Sequence, residues 1–352
     1  MRFSILIMSV LLSCLSGATW AKPIKVAFVY VSPVGDVGWT RSHDQGRQYL
    51  EEVYGDRVET SFVDSVPEGK DSREVIEQLA KDGNDIIFTT SWGYMISSEK
   101  VAKNYPEVKI EHATGLRWGD NLSAYSTRAY QARYLSGVVA GRMTKSNRIG
   151  YVAAHPIPEV IRGINAFTLG VRSVNPAAEV AVEWTKKWYA PQVEADITNK
   201  LIDDGADLIT HHTDTSEPVK VAESRGVYAI GFHTDMSKYG PKTHLLSVTH
   251  HWGRIYEQRI AALENGAWTA QDFWPGLKEG TSELSSVSSA IPKAVMRQVD
   301  QIKNEIVEGQ LRIFTGPIKN HQGRRKVRKD KVLDDSDLAR MNWFVEGVVG
   351  SI

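Results

Sequence analysis

Three tryptophans stand where a flat ligand could be gripped. Trp39 follows Gly35-Asp36-Val37-Gly38, just past the apolar run Ile24–Tyr30. Trp92 follows Thr89-Thr90-Ser91, and Trp188 follows the run Val180–Thr185. Each lies near the carboxyl end of an expected strand, the place where open α/β sheets bind small molecules. Two indole planes facing across a cleft sandwich a heteroaromatic ring, each stack contributing roughly 1–3 kcal/mol by analogy with nucleic-acid bases on proteins. A single such tryptophan fills a core edge as readily as it meets a ligand. Three at equivalent places point to a pocket, with Ser91 beside Trp92 in its lining, and core-edge packing stays the competing reading. Gly35 and Gly38 let the first loop turn sharply and let a ligand approach the backbone.

Polar groups cluster at the same strand ends. His212, Thr213 and Asp214 follow one run, and Thr234 and Asp235 follow the next. A carboxylate there accepts hydrogen bonds from an exocyclic amine, a ring N–H or ribose hydroxyls. Losing such a bond in a dry cleft is costly, so these groups confer selectivity. Asp214 serves equally well as N-cap of the helical segment Pro218–Arg225. No strong helical pattern follows Asp235, which favours a ligand role there.

Catalytic and metal chemistries have little support. The adjacent pairs His211-His212 and His250-His251 would point to opposite faces of a strand and so could not chelate one ion. HExxH, a cysteine cluster, GxSxG, GxxxxGK[ST] and SxxK are all missing, and Gly35–Gly38 lacks the GxGxxG order. Glu111-His112 is opposed as an acid–base pair by its adjacency on a strand. No cofactor or metal is expected.

Short apolar runs alternate with helical patterns along the chain. Strands are expected at 24–31, 58–63, 85–89, 108–112 and 122–127, then at 148–154, 180–185, 207–211, 228–232 and 245–248. Helices are expected at 40–54, 72–81, 96–104, 131–144, 158–174, 191–204, 215–225, 251–266 and 291–309. This alternation predicts an α/β protein with parallel sheets flanked by helices, in two successive units of similar length. The first lobe is placed at 22–145 plus 246–290 and the second at 146–245 plus 291–323, with 324–352 packing on the lobes. The basic run Arg324–Lys331 reads as a solvated surface segment.

The chain has 352 residues, with 42 Lys+Arg against 42 Asp+Glu. That length supports two lobes with real cores, and the charge balance gives no sign of nucleic acid or anionic membrane as partner. Met1-Arg2, the apolar stretch 3–15 and Thr19-Trp20-Ala21 form a secretory signal with cleavage expected after Ala21. The single cysteine, Cys14, falls inside it. A lipid-attachment box there is the alternative, and cleavage after Ala21 leaves a mature protein without disulfides.

Seven segments carry a family resemblance: GDVGWTRSHDQG (35–46), IIFTTSWGYM (86–95), KIEHATG (109–115), YLSGVVAG (134–141), PIPEVIRGINAFTLG (156–170), GADLITHHTD (205–214) and GFHTDM (231–236). With the tail MNWFVEGVVG (341–350), they resemble the basic membrane protein family of ABC-importer substrate-binding proteins, which includes purine-nucleoside receptors. The resemblance implies a two-lobed periplasmic binding protein (type I), its cleft lying between lobes that close like a hinged clamp. It implies stacking between Trp39 and Trp188, an acidic reader at Asp235 and a ligand-facing Lys278 in GLKEG (276–280). It further implies a periplasmic location, membrane permease subunits as partners, and a monomer that makes or breaks no bond. Two positions depart from nucleoside-binding members: Thr40 replaces the usual Asn, and Gln131 replaces an acid. The segments KIEHATG and TTSWGYM point to a free purine base, adenine-like, ahead of a nucleoside. Another planar metabolite, a sugar, or a nucleoside-hydrolysing activity are the alternatives.

Overall fold

The computed structural model describes residues 22–352, so the expected signal segment and Cys14 lie outside the described residues. In chain order the elements of the first half are β1 (Ile24–Val29), α1 (Gly38–Tyr54), β2 (Val58–Val63), α2 (Lys70–Lys81), β3 (Ile86–Thr89), α3 (Met95–Asn104), β4 (Lys109–Ala113), β5 (Leu122–Tyr125), α4 (Ala129–Met143), β6 (Arg148–Ala153), α5 (Pro158–Val174) and β7 (Glu179–Trp184). There follow α6 (Pro191–Asp203), β8 (Leu208–His212), α7 (Glu217–Arg225), β9 (Tyr228–His233), β10 (His244–His250), α8 (Trp252–Glu264), β11 (Asp272–Phe273), β12 (Ser282–Ser285), α9 (Lys293–Val307), β13 (Ile318–Lys319), β14 (Arg325–Val327), α10 (Asp335–Ala339) and β15 (Val348–Val349).

The strands form two large sheets, one per lobe. The first runs β11-β5-β4-β3-β1-β2 and is parallel throughout. The second runs β12-β10-β9-β8-β6-β7-β15 and is parallel except where β12 runs against β10. Helices cover both faces of a parallel sheet, so its central strands are apolar on both sides. Val26 to Tyr30 accordingly have no exposure at all. Helix α2 buries only the stripe Ser72, Ile76, Leu79 and Ala80, the spacing of one helical face. Adjacency on β4 separates Glu111 from His112 as expected. Glu111 accepts from Arg259 Nε (2.6 Å) and Trp268 Nε1 (2.7 Å), while His112 Nδ1 pairs with Thr89 Oγ1 (2.9 Å).

Lobe membership differs from the sequence-based division. Helix α4 packs on α5 and thus joins the second lobe. The reason is steric: a Cβ on Gly137 would lie 2.1 Å from the Phe167 carbonyl oxygen, so the two backbones touch where no side chain intervenes. Strands β10 and β12 also join the second sheet, whereas α8 and β11 return to the first. Alternation of element types says when a strand occurs, not which sheet receives it. The chain therefore crosses between lobes near 126–128, at 250–252 and at 274–281. These crossings are bonded to one another. Ser126 N–H donates to Phe273 O (2.9 Å), Arg128 N–H to Pro275 O (2.7 Å) and His251 N–H to Thr281 O (2.9 Å). Thr127 Oγ1 pairs with His250 Nδ1 (3.0 Å). Gln131, one of the departing positions, accepts from Leu277 N–H (3.0 Å) and ties the third crossing to α4.

The C-terminal residues finish the second lobe. β15 pairs with the edge of β7, and Met341, Phe344 and Val345 are buried. The basic run 324–331 is exposed except for Val327, which anchors β14 against β13.

Candidate functional site

Helix α1 opens the first lobe's side of the interlobe surface without a cap of its own. Val37 stands at its N-cap and offers no side-chain bond. The first N–H groups of a helix need acceptors from elsewhere, and here they come from the other lobe. Trp39 N–H donates to Asp214 Oδ1 (3.1 Å) and Gly38 N–H to Thr234 Oγ1 (3.2 Å). The Ser32 hydroxyl donates to Asp214 Oδ2 (2.7 Å), and Thr40 in turn bonds Ser32 (2.7 Å). Asp214 therefore caps a helix, but not its own: α7 starts from Ser216 with no side-chain cap bond.

The loop carrying Asp214 is held from beneath. Buried Glu194 on α6 accepts from Thr213 Oγ1 (2.7 Å), Thr215 Oγ1 (2.6 Å) and Ala190 N–H (3.0 Å). Asp214 N–H donates to Trp188 O (2.9 Å), which joins the carboxylate to the second-lobe tryptophan. Burial pushes the Asp214 carboxyl up to about 7, against the pull of its bonds from Ser32 and Trp39.

Beside this contact lies a narrow cavity. Trp39, Ser91, Trp92 and Thr114 line it from the first lobe; Glu159, Trp188, His212, Asp214 and His233 line it from the second. The Trp39 indole N–H donates to Thr90 O (2.5 Å), which fixes the ring. Its edge contacts include His43 at 4.5 Å and Trp252 at 5.2 Å between ring centres. Behind it a column of rings stacks in order: His43 on Trp252 (4.3 Å), Trp252 on His250 (4.9 Å), His250 on His233 (5.3 Å). Trp39 is thus both core edge and cavity wall, and 8% of it remains exposed. Trp188 is half-buried and meets His155 edge-on at 4.9 Å.

Two lining residues hold left-handed backbone, Thr114 at φ 59° and His233 at φ 72°. Such conformations cost about 1–3 kcal/mol and gather at ligand sites. The Thr114 hydroxyl and His212 Nδ1 are buried and have no partner among the described residues. Burial holds the imidazoles of His212 and His233 well below their ordinary range, so both are neutral near pH 7.

Six of the nine residues expected at the site line this cavity: Trp39, Ser91, Trp92, Trp188, His212 and Asp214. Three do not. Thr40 sits behind it, supporting Ser32. Asp235 is exposed and accepts from Ser237 N–H (2.8 Å), facing a broad outer groove shared with Arg41 and Arg254. The left-handed turn at His233 sends the following chain outward. Lys278 is exposed on the third crossing, outside the cavity lining.

The family model of Bmp, described as ABC transporter substrate-binding protein PnrA-like, matches residues 24–315. The chain belongs to the Bmp family. A purine-binding protein of Brucella abortus is 44% identical, covering 95% of each chain. A protein of Haloferax volcanii, named provisionally as an ABC transporter glucose-binding protein, is 36% identical over 96% of this chain and 83% of its own. An ABC transporter solute-binding protein from Aeropyrum pernix shares the fold, with a TM-score of 0.72 at 21% identity over 85% of this chain and 93% of that one. The Bmp family and these relatives are binding proteins rather than enzymes.

Sequence reasoning missed Glu159, Thr114 and His233. Glu159 reads as an ordinary helix-end acid on α5, and Thr114 as a loop residue just past an expected strand. Only their backbone turns and the meeting of lobes bring them to the cavity. Gly38 was singled out for ligand approach; here it admits the other lobe instead. Its φ is +97°, and a Cβ there would lie 2.3 Å from the Asp214 carbonyl oxygen. Gly38→Ala is expected to weaken ligand binding about tenfold or more, since 1.4 kcal/mol of strain confined to the closed form is a factor of ten. Calorimetric titration of the variant with the wild-type ligand checks this.

Proposed function

We propose that this Bmp-family protein is the periplasmic receptor of an ABC importer and that its cargo is a purine, a free base ahead of a nucleoside. The observation that carries this reading is the cavity itself: Trp39 and Trp92 from one lobe and Trp188 from the other wall a narrow slot with a buried carboxylate at its edge. The kinship with the purine-binding Brucella protein supports it. The slot is narrow and closely walled by the three indoles. Asp235 and Lys278, which the family resemblance links to nucleoside reading, stand outside it. Both features favour a base without its sugar.

Cargo enters while the lobes are apart and is gripped as they meet. Only contacts special to the closed form shift the balance toward it, and here these include the bonds of Asp214 and Thr234 to α1. No bond of the ligand is made or broken. The protein works as a monomer, delivered across the membrane by its N-terminal signal, and hands cargo to permease subunits.

The Haloferax relative motivates sugar as a second reading. Sugars are held by many amides and charged groups around their hydroxyls, and the cavity lining contains no Asn, Gln, Lys or Arg. Mass spectrometry of small molecules released from the denatured protein, with thermal shifts over bases, nucleosides and sugars, separates the two. A released or stabilising base supports the proposal. Stabilisation by glucose alone, with no purine response, overturns it.

A further inference from the structure

We infer that Glu159 reads the edge of the bound base, its carboxylate accepting a hydrogen bond from a ligand N–H beside His212 Nδ1. This deepens the purine reading and rests on it. Glu159 lies in the first turn of α5, where an acid also complements the helix dipole. That ordinary explanation leaves the surroundings unaccounted for. Glu159 lines both the tryptophan cavity and a smaller recess behind it, so it stands between them. Among the described residues its carboxylate makes no hydrogen bond or ion pair. Its nearest cation, Arg162 on the same helix, is occupied elsewhere: its guanidinium donates to Leu338 O (3.0 Å) and lies over the Trp274 ring at 4.6 Å.

His212 shares that position. It lines both spaces, is 3% exposed, and its Nδ1 has no partner. Thr114 Oγ1, buried and equally unpartnered, faces the same cavity from the first lobe. Buried polar atoms are paired in folded proteins as a rule, so two buried unpartnered atoms, His212 Nδ1 and Thr114 Oγ1, beside the half-buried and unbonded Glu159 carboxylate call for a polar ligand edge. The set is suited to a purine: a carboxyl that accepts when ionised, a neutral imidazole nitrogen and a hydroxyl that can turn either way. Burial raises the Glu159 carboxyl to about 7, against the pull of the Arg162 charge.

The test is titration of wild type, Glu159→Gln and Glu159→Asp with adenine, hypoxanthine and guanine, together with the melting temperature of each ligand-free protein. Glu159→Gln should raise the Kd of the wild-type base roughly 10- to 100-fold, the range for a hydrogen bond to a charged group. Glu159→Asp keeps the charge at the helix end but shortens the reach, and should also lose affinity while melting like wild type. Unaltered affinity in both variants, with or without a lower melting temperature, assigns the carboxylate to the helix end and overturns the inference. A wild-type protein that binds none of the three bases refutes instead the purine reading beneath it.

Discussion

Trp188→Ala should weaken purine binding roughly 5- to 150-fold, the loss of one aromatic stack worth about 1–3 kcal/mol. The ligand-free protein should melt close to wild type. Trp188 is half-buried on a loop and touches the second-lobe core only at its margin. Trp39 offers the contrasting case. Its ring is embedded among His43, Trp252, His250 and His233 and anchored to Thr90 O. Trp39→Ala therefore costs a core cavity of about 3–5 kcal/mol as well as the stack. The pair of variants separates grip from scaffold: calorimetry reads the first loss and thermal melts the second. Equal affinity in wild type and Trp188→Ala for every purine tested would remove Trp188 from the site.

Asp214 makes closure sensitive to pH. In the closed form burial raises its carboxyl to about 7; solvated in an open cleft it returns to the ordinary value near about 3.9. Between these values the closed form holds a proton that the open form lacks, so closure is favoured as pH falls through 7 and the gain is complete below about 4. Above pH 7 the carboxylate is ionised in both forms and the dependence vanishes. At pH 5, two units below the closed-form value, the gain is about a hundredfold at ten per unit. Glu159 and the cavity histidines are common to wild type and Asp214→Asn and cancel in a ratio. The affinity of wild type divided by that of Asp214→Asn should thus climb as pH is lowered from 8 to 5. A flat ratio would mean that Asp214 keeps one protonation state in both forms.

The alternation of runs and helices made the two sheets legible, because a parallel strand buried on both faces is apolar from end to end. Nearly every helix and long strand falls within a few residues of its expected place. The short pieces escaped: β11, β13 and β15 have two residues each, too few for any period to show. Lobe membership escaped as well, since what decides it for α4 is a fit to α5 through Gly137 and Gly170. The meeting of the tryptophans at one cavity was legible because all three follow expected strand ends. Asp214 was readable only as an acid at the right height. That it caps a helix some 175 positions earlier in the chain depends on the lobes having met. Asp235 falls outside the cavity lining because its strand stops two residues before it and His233 then turns the chain.

The three crossings, laced side by side by their own hydrogen bonds, bear on how the halves can travel. A door hung on one pin wobbles; hung on three, it swings and does little else. Sliding or corkscrewing would have to tear at least two of these tethers out of line, whereas bending asks only small turns of each. Whatever is gripped, the opposing walls return to the same alignment on each cycle. That is how an acid on one half can keep finding an amide hydrogen and a hydroxyl on the other.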